Sequence, residues 1–255
     1  MEHWRQAYLG MRSIPHTLNE FELAAFFTFS SKERALINTR RRHLYRFALA
    51  LHIGFVRMSG CTLDACRYVP RNLWQHLGRQ LGIESPDLGT MTALYDGHTD
   101  TLFEHQVCAY QARGFGPMTE HQRRYVMRWL KSALSGRQDR NGLLHELKRW
   151  LYEHRILLPR DRTLRELIVQ VIRDVEAEFT GELMQALGEA TLDRWGQLLP
   201  KPHGEALSLQ QWRWSVPLRN STRQMSDLFR KVDLLVELGV QTKWPETCNE
   251  AIVRH

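Results

Sequence analysis

Apolar residues recur along this chain at spacings of three and four, and each run is closed by a short polar or Gly/Pro break. Phe21, Leu23, Ala24, Phe26 and Phe27 follow Thr17-Leu-Asn-Glu20, which reads as a capping box opening a helix. Ser30-Ser-Lys-Glu33 is a second box and predicts a short helix to about Asn38. A long apolar-periodic stretch from Leu44 to about Met58 stops at Gly60 and predicts a core helix. Pro70 stands at a plausible first helical position, with Gly82 ending that helix, and Ser85-Pro86 starts another. Further helices are expected over about 100–114, from the Thr119-Glu-His-Gln122 box through Leu134, over 141–154, and from the Thr163-Leu-Arg-Glu166 box through Val175. The inward set of the third is Leu143, Leu144, Leu147, Trp150 and Leu151; that of the fourth is Leu164, Leu167, Ile168, Val171, Ile172 and Val175. In the Thr119 helix, Val126, Trp129, Leu130, Ala133 and Leu134 mark the buried stripe. A last helix runs from Ser221-Thr-Arg-Gln224 to Gly239. No alternating run is long enough for a strand.

The breaks divide the chain. Gly114-Phe-Gly-Pro117 stops a helix and permits a hinge, and Pro200-Lys-Pro-His-Gly204 marks a linker. The expected organisation is all-α. A helical domain over 1–116 and a second, helix-turn-helix-like one over 117–200 are joined by the Gly/Pro hinge. Residues 201–255 form the linker and the start of a further helical region.

Charge adds a direction. The chain has 255 residues and a net charge of +7. Residues 119–173 alone hold thirteen Lys/Arg against six Asp/Glu, an excess of seven, so the flanking parts cancel. Arg provides 29 of the 35 basic residues, and its planar donor fork matches phosphates and guanine edges. Such a field on paired helices is the footprint of a protein that grips a phosphate backbone. Arg123, Arg124, Arg128 and Lys131 are the phosphate candidates. Arg160, Arg162, Thr163 and Arg165, at the start of the helix after Pro159, are the groove-reading candidates, because a recognition helix presents its first turn to base edges. A second basic corner holds Lys32, Arg34, Arg40, Arg41, Arg42 and Arg46 against Glu33. Within it Arg40, Arg41, Arg42 and Arg46 are candidates for backbone or groove contacts.

Other chemistry finds little support. The four Cys have no C-x-x-C pair, and reduced thiols in a cytosolic protein fit their spacing. No His-Glu-x-x-His, Gly-x-Ser-x-Gly or phosphate-cradling Gly loop occurs. Asp96 and Asp100 read as a solvated pair rather than a metal site. No signal pattern or membrane-length apolar run is present. Catalytic residues, metal ligands and cofactors are therefore expected to be absent from this chain. Trp212 and Trp214, beside the second linker, are the aromatics best placed to stack on a base or partner, although packing explains them too.

The ordered segments Phe27-Thr-Phe-Ser30, Ile37-Asn38, Arg40-Arg41 and Leu49 through Gly60 resemble the N-terminal region of the Tn-three family of replicative transposases. Trp74-Gln-His-Leu77, Leu81-Gly-Ile83, Trp150-Leu151, Leu158-Pro159, Thr163-Leu164 and Leu167-Ile168 continue the likeness. Ser221 through Ser226 and Val232 through Leu235 extend it. Arg42-His43 stands where many members have Gly-Asp, which adds positive charge at the corner. The resemblance implies a bacterial, cytoplasmic and nucleoid-associated protein whose helical modules bind the terminal inverted repeats of a transposon as double-stranded DNA. It also implies an RNase-H-like catalytic domain with three carboxylates and divalent metal lying beyond His255, and self-association through the full-length transposase. The competing readings are a protein-interaction module for transposase dimer assembly and a non-specific or single-strand nucleic-acid binder.

Overall fold

The computed structural model describes residues 3–64, 68–83, 95, 99–134, 140–187, 189–190, 193, 226, 228–230 and 232–233. Every regular element among them is helical. A 3-10 helix spans His3–Tyr8, followed by α1 (Glu20–Phe27), α2 (Ser31–Asn38), α3 (His43–Ser59), α4 (Arg71–Leu81), α5 (Thr99–Ala112), α6 (Glu120–Leu134), α7 (Arg140–Glu153) and α8 (Asp161–Leu187). Residues Met1–Val171 form one compact unit and Ile172–His255 a second. The expected start at Ser85-Pro86, the Pro200–Gly204 linker and the Trp212/Trp214 pair lie outside the described residues. Of the last expected helix, the described residues between 226 and 233 are helical and exposed.

The first unit is organised by α3. Its residues from Phe47 to Ser59 are all buried. A helix that is apolar on every side must be wrapped, and the 3-10 helix, α1, α2, α4 and α5 pack around this one. Phe47 meets Trp74 of α4 with ring centroids 4.6 Å apart. Gly60 ends the helix in the left-handed region at φ 69°, where its N–H bonds to the Val56 carbonyl.

Two helix starts differ from the sequence expectation. The first capping box is Asn19 with Glu22, not Thr17 with Glu20: the Glu22 N–H donates to Asn19 Oδ1 at 2.9 Å, and the Asn19 N–H donates to Glu22 Oε2 at 2.8 Å. Leu18 is buried, so the chain enters the helix from the core and the polar cap follows it. Phe21 is consequently turned outward at 62% exposure, its ring against Trp4. The last long helix begins at Asp161, two residues before the Thr163 box, so Thr163 lies inside α8. The Ser30–Glu33 and Thr119–Gln122 boxes form as read.

Glu33 does more than cap. Its carboxylate is buried and accepts from Arg57 of α3 and from Arg113, just after α5, at 3.2 Å. Arg57 also donates to the Thr28 carbonyl. Burial pushes the Glu33 carboxyl up, but the Ser30 backbone N–H and Arg57 outweigh it and hold it below its ordinary value. One ionised carboxylate thereby ties α2, α3 and the end of α5.

The Gly114–Pro117 break falls inside the first unit, and its backbone is pinned there. Phe115 is buried against the Tyr152 ring, with centroids 5.2 Å apart. The Gly116 N–H donates to the Arg155 carbonyl at 3.0 Å, and the Leu157 N–H donates to the Gly116 carbonyl at 2.8 Å. The Tyr152 hydroxyl donates to the Arg57 carbonyl at 2.6 Å, and the Leu158 N–H to the Gly60 carbonyl at 3.0 Å. The α7–α8 connection is thus fastened to the C-terminal end of the central helix.

Candidate nucleic-acid interface

Helix α6 is strongly two-sided. Val126 and Leu130 are buried, and α7 packs alongside. The opposite side carries His121, Arg124, Tyr125, Arg128 and Lys131, all exposed. No Asp or Glu occurs between His121 and Leu134. Arg123 lies on the flank. Its guanidinium is 3.9 Å from Glu120 and donates to Gln170 of α8 at 3.4 Å. Of the four sequence candidates on α6, Arg124, Arg128 and Lys131 share the open face and Arg123 is drawn toward α8.

The four candidates around the start of α8 are all exposed, but their charges are partly compensated. Asp161, in the first turn, pairs with Lys148 of α7 at 2.9 Å. Arg162 donates to Glu166 one turn on at 2.8 Å. Arg160 and Arg165 have no carboxylate partner among the described residues. An exposed i,i+4 pair contributes little, so a phosphate can displace Glu166 from Arg162 at small cost.

The Arg40–Arg42 junction lies between α2 and α3 as read, and the structure separates its members. Arg40 is half-buried, 3.7 Å from Glu104 of α5. Arg46 is half-buried and donates through Nε to the Arg40 carbonyl at 2.6 Å. These two side chains hold the corner together. Arg41 and Arg42 are exposed, with Arg42 over the Tyr45 ring at 5.7 Å.

Three features escaped the sequence reading. Tyr125 sits among the cations of α6, between His121 four residues before it and Arg128 three after; that spacing alone was a usable signal. Trp129 and Trp150 are half-buried rather than enclosed, and they stack at 5.6 Å, with His154 on Trp150 at 3.8 Å. In the core, the Tyr95 hydroxyl stands 3.0 Å from both His52 Nε2 and His105 Nδ1, a tertiary meeting that spacing does not announce. Among the described residues, no group of three or more His, Cys, Asp or Glu could hold a metal ion, and no helix is long and apolar enough to cross a membrane.

A family model described as "Domain of unknown function (DUF4158)" matches residues 2–171. The chain is 40% identical over 240 residues to the transposase for insertion sequence element IS1071 in transposon Tn5271 of Comamonas testosteroni, which covers 94% of this chain and 24% of that protein. It is 23% identical over 199 residues to the transposase for transposon Tn1546 of Enterococcus faecium, covering 78% of this chain and 19% of that protein. Similarity to the transposase for transposon gamma-delta of Escherichia coli (strain K12) is 25% over 198 residues, covering 74% of this chain and 19% of that protein. The chain thus spans about a fifth to a quarter of the length of these relatives, in their N-terminal part.

Proposed function

Since the chain belongs to the Tn-three family of transposases, as an N-terminal region carrying the DUF4158 domain, we propose that it binds double-stranded DNA at the terminal inverted repeats of its transposon. The observation that carries this reading is the exposed face of α6, where Arg124, Arg128 and Lys131 stand with no acidic residue between His121 and Leu134. Contacts from that face to phosphates set affinity and register. Arg160, Arg162, Thr163 and Arg165 reach the groove, where the N–H groups and dipole at the start of α8 draw in the neighbouring phosphate. Arg41 and Arg42, the outward members of the first corner, take a further stretch of backbone. Strand cleavage and joining are assigned to the part of the relatives that this chain does not span.

The assignment within the interface is tested by Arg162→Ala combined with Arg165→Ala. Each lost base contact costs about 1–3 kcal/mol at its own site only. Affinity for the inverted-repeat duplex should therefore fall about tenfold or more, while affinity for a scrambled duplex of the same length changes less than about threefold. Equal weakening on both duplexes would make these residues phosphate contacts. A parent protein that retains neither duplex, and instead dimerises at low concentration without DNA, would replace the DNA reading with an assembly module.

A further inference from the structure

Three of the ten candidate arginines are oriented by a carboxylate. Arg40 lies near Glu104, Arg123 near Glu120, and Arg162 is held by Glu166. A carboxylate fixes a guanidinium but also cancels its charge and occupies its donors. Arg128 is held differently. Its guanidinium carbon lies over the Tyr125 ring, 5.4 Å from the centroid, with no carboxylate partner among the described residues. The Tyr125 ring also meets the His121 ring edge-on, with centroids 5.0 Å apart and planes at 69°. The ring is 50% exposed on a face otherwise made of polar and cationic groups, so burial in the core does not account for it.

We propose that Tyr125 is a positioning residue for Arg128, holding its guanidinium extended and un-neutralised for a bidentate contact to a phosphate of duplex DNA. A guanidinium attracted to a π face keeps its in-plane N–H donors free, and those donors are what a phosphate accepts. The aromatic ring thus reduces the rotamer freedom that Arg128 loses on binding without taking away the charge that binding uses. This inference rests on the reading of α6 as the DNA-facing helix. It adds Tyr125, an uncharged residue, to that face.

The experiment is a double-mutant cycle on duplex affinity, using the inverted-repeat duplex with Tyr125→Ala, Tyr125→Phe, Arg128→Ala and the Tyr125→Ala/Arg128→Ala pair. A cation–π contact at an exposed site corresponds to about a two- to fivefold loss for Tyr125→Ala. Tyr125→Phe should bind as the parent does, because the ring performs the positioning. Arg128→Ala should lower the slope of log affinity against log salt by about one, and Tyr125→Ala should leave that slope unchanged. In the Arg128→Ala background, adding Tyr125→Ala should have no further effect. Parent-like binding by Tyr125→Ala, or the same loss with and without Arg128, would overturn the positioning role while leaving the DNA reading intact. A parent protein that does not bind duplex would remove both. Tyr125 is on the surface of α6, so the melting temperature serves as a control: a loss of affinity that tracks a loss of stability across the variants would also overturn the proposal.

Discussion

Replacing Gly54 with alanine is expected to destabilise the first unit by about 1–2 kcal/mol net, although alanine is the better helix former. On an exposed helix the change would gain ~1 kcal/mol. Here a Cβ would stand 2.1 Å from Cδ1 and 2.4 Å from Cε1 of Phe27, and both residues are buried without exposed surface around them. The Phe27 ring is wedged between α1 and α3, so the added methyl must push the two helices apart or force the ring off its rotamer. Overpacking of that kind costs about 1–3 kcal/mol and occasionally more. Chemical denaturation of Gly54→Ala should show a lower midpoint at an unchanged slope. Phe27→Leu, harmful alone, should cost less in the Gly54→Ala background, because it relieves the collision. An alanine variant as stable as the parent would contradict the packing described for α1 on α3.

Acidification should remove stability through a specific pair. His52 and His105 are buried on either side of the Tyr95 hydroxyl, and His52 Nδ1 has no hydrogen-bond partner. Burial first, and then the positive charge His105 can acquire, push His52 down to about 3. Burial and Arg40, against a small opposing pull from Glu104, push His105 down to about 4. Both are neutral in the folded state at pH 5, whereas in the unfolded chain a histidine takes up its proton near pH 6.5. Below that value the unfolded state binds more protons, so stability is fully present above about pH 6.5 and is lost as pH falls toward 3–4. At pH 4.5 the loss is on the order of 2–3 kcal/mol for one histidine, and less than twice that for the coupled pair. Carboxylates titrating in the same range also contribute, so the informative quantity is the difference from His52→Gln and His105→Gln. Each variant should be less sensitive to the step from pH 7.5 to 4.5 than the parent. An identical drop in all three would contradict the role of this pair.

Local rules made much of the fold legible. The apolar run ending at Gly60 gave α3 almost residue for residue, because burial on every side and a left-handed stop are both written in the chain. At α1 and α8 the box read from local spacing misplaces the helix start. Thr17 and Thr163 each resemble a cap, but Asn19, after the buried Leu18, caps α1, and α8 already begins at Asp161, which pairs with Lys148. The Gly114–Pro117 break was legible as a helix stop. Its pairing with Arg155 and Leu157 was not, because those partners lie some forty residues on. The same limit applies to the basic residues. Charge and periodicity placed Arg123, Arg124, Arg128 and Lys131 off the buried stripe of α6, but did not announce the turn of Arg123 toward Gln170 of α8. They could not reveal that Arg40 and Arg46 would turn inward to Glu104 and to a backbone carbonyl while Arg41 and Arg42 faced out. Partners across the fold decide which cations remain available to a ligand, and a single sequence names those partners poorly.

The central claim, specific grip on transposon-end duplex, is tested most directly by measuring affinity for the terminal inverted repeat and for a scrambled duplex of equal length across salt. Neutralising six or more phosphates should lower affinity by about 10³ or more between 50 and 200 mM salt. The repeat should stay the tighter ligand throughout, with the gap remaining when the electrostatic part has been screened. Equal affinity for the two duplexes at moderate salt, or binding that ignores salt, would contradict the account.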